Sequence, residues 1–426
     1  MVWPPAQRAG GRHGYHLETI SKFLRLVLVG GVSLRGASRV LAMQAPSGPT
    51  PCWTTGRMWL LRLGHAMLTE TLQQADDWAW LVDHSVQIGQ EKCLVIVGIR
   101  LANLPAPGEC LEYRHLHLIA LLPESRWRGA NVDLALAQAA KRTGVPRAIV
   151  DDHGADLHGG VRLFQQRHPQ TAEIYDTKHK AACLLKKRLA GDARWQAFQT
   201  RVGVARCAVQ QTELACLAPP GPKPKARFMN LGPMLGWARH VLAVLREPAR
   251  IAAFVTARRL GEKLGWIADF SEELSQWSQW QQVVDVAVTH AGQQGVYRGT
   301  ARHLAAKFSQ LPPLCHSARA LAAELLRFAR SQELRVEPTE RFPASTEVLE
   351  SCFGRFKQLE KQHARGGFTH LLLSFGALLA DTTTTGVRHA MQASRTADVH
   401  SWAARNLGLT FSAKRRLAFS CATESG

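Results

Sequence analysis

The fold of this chain is best understood from the stretch Ser345-Thr-Glu-Val-Leu-Glu-Ser-Cys-Phe-Gly-Arg-Phe-Lys357. Its apolar residues recur at spacings of three and four, which predicts an amphipathic helix with one buried face. That face comprises Leu349, Phe353, Phe356 and Leu359. Ser345 is a suitable N-cap, because its hydroxyl can accept a hydrogen bond from a backbone N–H of the first turn.

A second face of this helix carries Glu347, Glu350, Gly354 and Lys357. Glu350 and Lys357 are seven residues apart and therefore lie two turns apart on one side of the helix. A carboxylate and an ammonium so arranged suit a site where the acid holds a metal ion and the lysine reaches a phosphate. A solvated polar face is the alternative, and the upstream sequence has to decide between them.

The composition indicates a nucleic-acid partner. The chain has 426 residues, enough for two or three domains, and its 53 Lys+Arg against 33 Asp+Glu give a formal net charge of +20. We expect no membrane segment, because no apolar run reaches about 18 residues, and no signal peptide. Nine cysteines without a Cys-x-x-Cys pair indicate a reduced cytoplasm, where the protein would associate with the nucleoid, and argue against a zinc site.

Residues 1–75 are basic and have the pattern of three short helices, at about 17–29, 33–43 and 53–69. This arrangement predicts a helix-turn-helix-like DNA-binding region whose third helix presents side chains to a DNA groove. Those side chains are Thr54, Thr55, Arg57 and Arg62. A plain helical bundle is the alternative.

Residues 76–190 change to strand-like periodicity and read as three strands, a helix, a strand, a helix, a strand and a helix. The alternating second half implies parallel strands with crossover helices, so we predict an α/β fold with a mixed sheet. Asp83 and Asp152 each stand at the end of a predicted strand. Ligands collect at the carboxyl ends of strands in such sheets.

The remaining chain completes this plan. Residues 191–340 have helical patterns almost throughout and predict an all-α domain inserted into the α/β domain. Residues 341–426 return to the α/β domain with the Glu350 helix and end in a basic tail at Lys414-Arg-Arg. Asp83, Asp152 and Glu350 would then meet in one domain.

Three carboxylates brought together suit phosphoryl transfer by two metal ions held about 3.5–4 Å apart. Mg²⁺ is a hard cation that takes carboxylate, water and phosphate oxygens, and Mn²⁺ is the alternative ion. One ion would activate the attacking water or 3′-hydroxyl, and the other would stabilise the leaving 3′-oxygen. Basic side chains would hold the DNA phosphates.

With these residues in place, the sequence resembles the DDE transposases of bacterial insertion sequences, which have an RNase H-like catalytic domain. The resemblance covers about residues 78–380. It is carried by Trp80-Leu-Val-Asp-His-Ser-Val-Gln-Ile-Gly-Gln-Glu-Lys-Cys-Leu-Val-Ile96, Ile149-Val-Asp-Asp-His-Gly-Ala-Asp-Leu157, Ile174-Tyr-Asp-Thr-Lys-His-Lys180 and Glu347-Val-Leu-Glu-Ser-Cys-Phe-Gly-Arg-Phe-Lys357.

The resemblance implies roles for these residues. In the family the first acid ends the first strand, the second follows the fourth strand, and the third opens a late helix, which assigns Asp83, Asp152 and Glu350 as catalytic metal ligands. It assigns Lys357 to DNA contact and accommodates a helical insertion before the glutamate. It also implies double-stranded DNA partners, namely element ends and target DNA, and assembly of a homo-oligomer on paired ends.

Two assignments have competitors within the motifs. Adjacent strand residues face opposite ways, so only one of Asp151 and Asp152 can point into the site. We choose Asp152, because His153-Gly154 after it resembles the family's Asp-x-Gly turn. Glu350 is preferred to Glu347, because Lys357 lies seven residues after Glu350 whereas Gly354 lies seven after Glu347.

Asp176 ends another predicted strand and is followed by His179. These two residues either support the metal ligands from behind or form a structural turn.

The predicted function is a transposase that cleaves DNA at insertion-sequence ends and transfers the strands to a target. One alternative is a catalytically silent DNA-binding protein derived from a transposase. Another is an RNase H-like nuclease without strand transfer.

Overall fold

The computed structural model describes residues 14–44, 49–88, 91–221, 228, 231–248, 255–362 and 369–408, with the backbone alone for 85–88 and 91. Its contacts divide the chain into two compact units. The first unit contains residues 1–174 and 346–426, and the second contains residues 175–345. The basic tail at Lys414 lies outside the described residues.

The helices and strands follow one another in the order that the sequence predicts for the α/β region. The helices are α1 (Leu17–Leu28), α2 (Leu34–Gln44), α3 (Trp53–Thr69), α4 (Gly129–Thr143), α5 (Ala155–Arg167), α6 (Thr177–Leu189), α7 (Ala193–Val209), α8 (Gly232–Arg246), α9 (Ala257–Leu264), α10 (Ser271–Gln294), α11 (Thr300–Phe308), α12 (His316–Glu333), α13 (Glu347–Lys361), α14 (Ser374–Ala377), α15 (Thr384–Ala393) and α16 (Thr396–Asn406). The strands are β1 (Trp78–Ile88), β2 (Glu91–Arg100), β3 (His117–Glu124), β4 (Ala148–Asp151), β5 (Ala172–Tyr175), β6 (Val296–Tyr297) and β7 (Arg341–Phe342). The three N-terminal helices are confirmed, as is the strand and helix order from β1 to α6.

The main sheet has five strands in the order β3-β2-β1-β4-β5, which confirms the predicted α/β class and mixed sheet. β1 pairs with β2, and β2 with β3, in antiparallel fashion. β1 pairs with β4 in parallel, with Ala79 opposite Ala148 and Leu81 opposite Val150. A hydrogen bond of 2.7 Å from Arg147 N to Trp78 O extends this pairing at its start.

The two faces of the sheet have different neighbours, because successive side chains along a strand alternate between faces. Trp78, Trp80 and Val82 of β1 join Ile149 of β4 in one buried cluster with the apolar sides of α4 and α5. Leu81 lies on the opposite face, since it alternates with them. Helices from both ends of the chain cover that opposite face, with α3 packing against β3 and α13 against β1.

α3 lies directly against the C-terminal helices α14, α15 and α16, so the N-terminal helices share one compact unit with the sheet. The closest approach is between Gly64 of α3 and the segment around α14. A Cβ added at Gly64 would lie 1.7 Å from Leu373 O, and one added at Gly376 would lie 2.6 Å from Gly64 O. Glycine is therefore required at this crossing, because two backbones meet with no space for a side chain.

The second unit is helical apart from the β6–β7 pair, so the prediction of an all-α insertion is wrong in this detail. Its core is built around aromatic side chains, and the rings of Trp195 and Trp277 meet edge to face with their centroids 4.9 Å apart. Trp277 and Trp280 are both buried in this core. Among the described residues, no helix is both long and apolar enough to cross a membrane.

We predict that Gly64→Ala destabilises the first unit by about 3 kcal/mol, because the new methyl group collides with backbone atoms that cannot move independently. Gly354→Ala is the matched control, since Gly354 is exposed on α13 and an added Cβ meets nothing within 4 Å. That change should instead stabilise the protein by about 0.5–1 kcal/mol. Urea unfolding of both variants measures the difference, and equal effects would contradict the close crossing.

His290 of α10 is a buried histidine whose ring nitrogens have no hydrogen-bond partner in the described part of the chain. Burial, reinforced by the charges of Lys307 and His303, lowers the pKa of His290 from 6.5 to about 4. The unfolded chain therefore takes up a proton at this position near pH 6.5, whereas the folded chain does so only near pH 4. The stability that depends on neutral His290 is present above pH 6.5 and is lost as the pH falls toward 4.

We therefore predict that His290→Leu flattens the fall in melting temperature between pH 6.5 and pH 4. His240→Leu, at an exposed position on α8, should keep the wild-type slope. Thermal melts across this pH range test the prediction, and parallel curves for the wild type and His290→Leu would refute it.

Candidate active site

Asp83 and Asp152 lie at corresponding positions beyond the parallel pairing of β1 with β4. Asp83 is two residues after Leu81, and Asp152 is two residues after Val150, the register partner of Leu81. Side chains that are two residues apart point to the same face of a sheet. Asp83, which lies within β1, therefore points to the face on which α13 packs against β1, and Asp152 is the first residue after β4. Both side chains are half-buried.

Asp151 occupies the opposite face, although it precedes Asp152 directly. It is the last residue of β4 and is two residues after Ile149, which packs in the cluster with α4 and α5. Its side chain is fully buried, and Oδ1 accepts a hydrogen bond of 2.6 Å from His153 N. Burial raises the pKa of Asp151 well above its usual value, and the charges of Glu173, Asp152 and Asp83 raise it further. These effects also show that the acids of this region are close enough to interact.

The turn after β4 is shaped by the sequence Asp152-His153-Gly154. Asp152 Oδ1 accepts a hydrogen bond of 2.8 Å from Gly154 N, which orients the carboxylate. His153 adopts φ of 56°, in the left-handed region that residues other than glycine enter at some cost. A Cβ at Gly154 would lie 3.0 Å from Asp152 Oδ1, so glycine keeps the carboxylate in this position without crowding.

Glu350 lies in the first turn of α13 and is half-buried, whereas Glu347 and Lys357 are exposed. The predicted apolar face of this helix is confirmed, because Leu349, Phe353, Phe356 and Leu359 are all buried. Phe353 packs on Phe375 near α14, with ring centroids 5.6 Å apart. α13 thus rests on β1 and on the buried segment that carries α14, which sets the position of Glu350 relative to the strand of Asp83.

The start of α13 differs from the prediction. Thr346, not Ser345, is the N-cap, and its side chain makes no capping hydrogen bond. Ser345 is buried in the second unit, where its hydroxyl donates a hydrogen bond of 3.3 Å to Asp176 Oδ2. The hydroxyl is thus used by a residue distant in sequence, which a local capping rule does not consider.

Arg355 fixes the middle of α13. Its guanidinium donates a hydrogen bond to Leu28 O at the end of α1 and lies 5.2 Å above the ring of Tyr113. These contacts hold α13 in place at Arg355, which lies between Glu350 and Lys357 in the sequence.

A histidine, a lysine and an aspartate form a charged group beside Asp152. His84 Nε2 lies 3.0 Å from Asp156 Oδ2, and Lys92 Nζ lies 3.6 Å from the same oxygen. Burial raises the pKa of Asp156, but the charges of His84 and Lys92 outweigh it and lower the pKa overall. Burial lowers the pKa of His84, against the opposing charges of Asp156 and Asp152. Asp156 lies in the first turn of α5.

Asp176 and His179 belong to the second unit, and their contacts there are those of a helix start. Asp176 is the N-cap of α6, and its Oδ1 accepts a hydrogen bond of 2.8 Å from His179 N. The side chain is fully buried. These contacts match the structural-turn alternative.

The side chains predicted to face a DNA groove do not form one exposed surface. Arg62 is buried, and its guanidinium donates to Ser394 O at 2.7 Å and to Met391 O at 2.6 Å. The structure therefore contradicts a groove-facing Arg62, since the carbonyl groups at the end of α15 hold it inside the protein. Arg57 is half-buried, and burial lowers its pKa.

Thr54 is exposed and Thr55 is half-buried at the start of α3. Their hydroxyls lie 2.9 and 3.2 Å from Cys52 Sγ, and the side-chain hydrogen bonds from Thr54 and then Thr55 lower the pKa of Cys52 to about 7. Of the four predicted residues, Thr54 is thus the one most accessible to DNA.

We predict that Arg62→Ala destabilises the protein by about 3 kcal/mol, because two buried carbonyl groups lose their donor and a cavity forms. Thr54→Ala, at an exposed position of the same helix, should change stability by no more than about 0.5 kcal/mol. Chemical denaturation of both variants measures these effects. A stable Arg62→Ala protein would show that the buried hydrogen bonds are not formed in solution.

No linear motif in the sequence predicts the polar cluster that Glu173, His153 and His158 form. Glu173 is buried in β5, and its Oε1 lies 2.7 Å from His158 Nδ1 and 3.5 Å from His153 Nε2. The position of Glu173 within a short apolar strand does indicate such a cluster, because a buried carboxylate requires polar partners.

Comparisons with known proteins add little to this description. No protein-family model matches the sequence, and no curated protein sequence does. Among solved structures, the chain aligns with the Drosophila P element transposase strand transfer complex at 12% identity and a TM-score of 0.40, over 92% of this chain and 95% of that chain. The interpretation of the site depends on its own residues.

Proposed function

We propose that the chain is a DDE-type transposase with an RNase H-like catalytic domain, which cleaves DNA at the ends of a mobile element and joins them to target DNA. The observation that carries this proposal is the parallel register of β1 and β4, in which Asp83 and Asp152 each follow by two residues the paired Leu81 and Val150. Glu350 is on α13, the helix that packs against β1. These are the elements on which the resemblance to DDE transposases places the three acids.

The donor set fits Mg²⁺. Asp83, Asp152 and Glu350 offer carboxylate oxygens, the ligands that hard divalent cations prefer. Mn²⁺ could replace Mg²⁺ at the same oxygens. When bound, such ions would activate a water or 3′-hydroxyl and stabilise the leaving 3′-oxygen.

The protein's own residues hold the reacting groups in place. The Gly154 N–H fixes the rotation of the Asp152 carboxylate, and the packing of α13 fixes Glu350. Lys357 is exposed on the same helix and available to a DNA phosphate, as proposed from its spacing. The net charge of +20 supports DNA binding that weakens as salt rises.

The proposal includes the finer features that the resemblance implies. These are a bacterial insertion sequence as the source of the DNA ends, double-stranded DNA as substrate and target, a homo-oligomer on paired ends, and a nucleoid location. Thr54 and its neighbours on α3 are proposed as the DNA-contacting surface, without Arg62.

Two matched pairs of variants test the assignment on plasmid DNA that carries the inverted repeats beside the coding region. Asp152→Asn and Glu350→Gln should abolish Mg²⁺-dependent cleavage and joining, because each removes a metal-binding oxygen charge. Asp151→Asn should cause a smaller loss than Asp152→Asn, since its side chain faces away from the site. Glu347→Gln should retain activity, because Glu347 is exposed at the helix start.

Gel analysis of nicked, linear and joined products measures each step. Wild-type activity in Asp152→Asn or Glu350→Gln would refute the assignment of the acids. Nicking without joined products would favour a nuclease, and DNA binding without Mg²⁺-dependent nicking would favour a silent regulator.

A further inference from the structure

We propose that His153, His158 and Glu173 form a Zn²⁺ site. This site lies on the side of the sheet that faces α4 and α5, away from the face of Asp83. Ion binding there does not depend on the proposed transposase activity.

The three side chains meet in the geometry of a small-cation site. Each offers one ligand atom, and these atoms all lie within 4.8 Å of one another. Glu173 Oε1 is 2.7 Å from His158 Nδ1 and 3.5 Å from His153 Nε2. Ligand atoms of a tetrahedral zinc ion are about 3.3 Å apart, given Zn–N distances near 2.0–2.1 Å. Small rotations of the side chains would therefore suffice to bind the ion.

Asp151 supplies an independent indication. Its side chain is fully buried on the same face, and Oδ2 has no hydrogen-bond partner among the residues that the structure describes. Glu173 is also buried, on the neighbouring strand of the sheet. A divalent cation held by Glu173 would offset part of the cost of burying carboxylates here.

The ligand chemistry selects the ion. Two imidazoles and one carboxylate suit Zn²⁺, whereas Mg²⁺ takes oxygen ligands almost entirely. Three protein ligands leave the fourth position of a tetrahedral ion to water. The His158 side chain is 37% exposed, which gives an ion access from solvent.

A bound ion would connect three elements around the turn that carries Asp152. His153 is in that turn at φ of 56°, His158 is in α5, and Glu173 is in β5. Crosslinking them would hold the strained turn in one conformation and stabilise the folded chain by mass action.

Cobalt binding to the full-length, tag-free chain tests this site. The chelator-treated protein is titrated with Co²⁺ in excess Mg²⁺, which occupies oxygen-only sites. We expect one equivalent to give the visible absorption of four-coordinate Co²⁺ without a thiolate charge-transfer band, and Zn²⁺ to displace it. His158→Gln should weaken Co²⁺ binding by about 100-fold, because it removes a direct ligand.

Matched variants separate ion binding at this cluster from ion binding elsewhere on the chain. His168→Gln, at the end of the same helix, should bind Co²⁺ as the wild type does. Asp83→Asn should also bind normally while lacking the proposed nuclease activity, so failure of one proposal is distinguishable from failure of the other. Unchanged binding in a folded His158→Gln protein, or six-coordinate Co²⁺ in the wild type, would leave only a hydrogen-bonded histidine pair and overturn the proposal.

Discussion

The parallel pairing of β1 with β4 is the constraint on which the candidate site depends. The pairing sets Leu81 beside Val150, and two residues later the chain places Asp83 and Asp152 beyond the paired segment. A shift of one residue would move every side chain of β4 to the other face. Such a shift would bring Ile149 out of the cluster with Trp80 and turn Asp151 to the opposite face, so burial of the apolar residues holds the register.

Two neighbouring acids therefore have different surroundings. Asp152 is half-buried, whereas Asp151 is fully buried on the side of the sheet that packs against α4 and α5. A buried carboxylate is costly unless it is protonated, hydrogen-bonded or paired with a cation. The end of β4 thus lies between the proposed magnesium site, with oxygen ligands only, and the proposed zinc site, with nitrogen and oxygen ligands.

Much of the local structure could be predicted from the sequence, because it depends on short-range periodicity and strand-end acids. The bounds of α1 and α3, the order from β1 to α6 and the buried face of α13 are examples.

The contacts of Arg62 could not be predicted, since its acceptors lie more than 300 residues away, with Ser394 O at a separation of 332. Helical spacing indicates which residues share a face but not what covers that face. The choice between Asp151 and Asp152 rested on motif similarity alone, whereas the structure shows that Asp151 is fully buried on the side of Ile149 and that Asp152 is half-buried. The histidine cluster was not apparent because its three members come from a turn, a helix and a strand, with no spacing pattern that a linear motif could show.

The length of chain between Asp152 and Glu350 is compatible with one catalytic unit because the ends of the second unit are tied together. Thr177 N donates a hydrogen bond of 3.0 Å to Ala344 O, and the Ser345 hydroxyl donates to Asp176. The chain thus leaves the second unit beside the point where it entered. Loop-closure entropy grows slowly with length, at about 0.6 kcal/mol per doubling. An insertion with adjacent ends therefore costs the first unit little, and the hydroxyl of Ser345 helps to hold those ends together instead of capping α13.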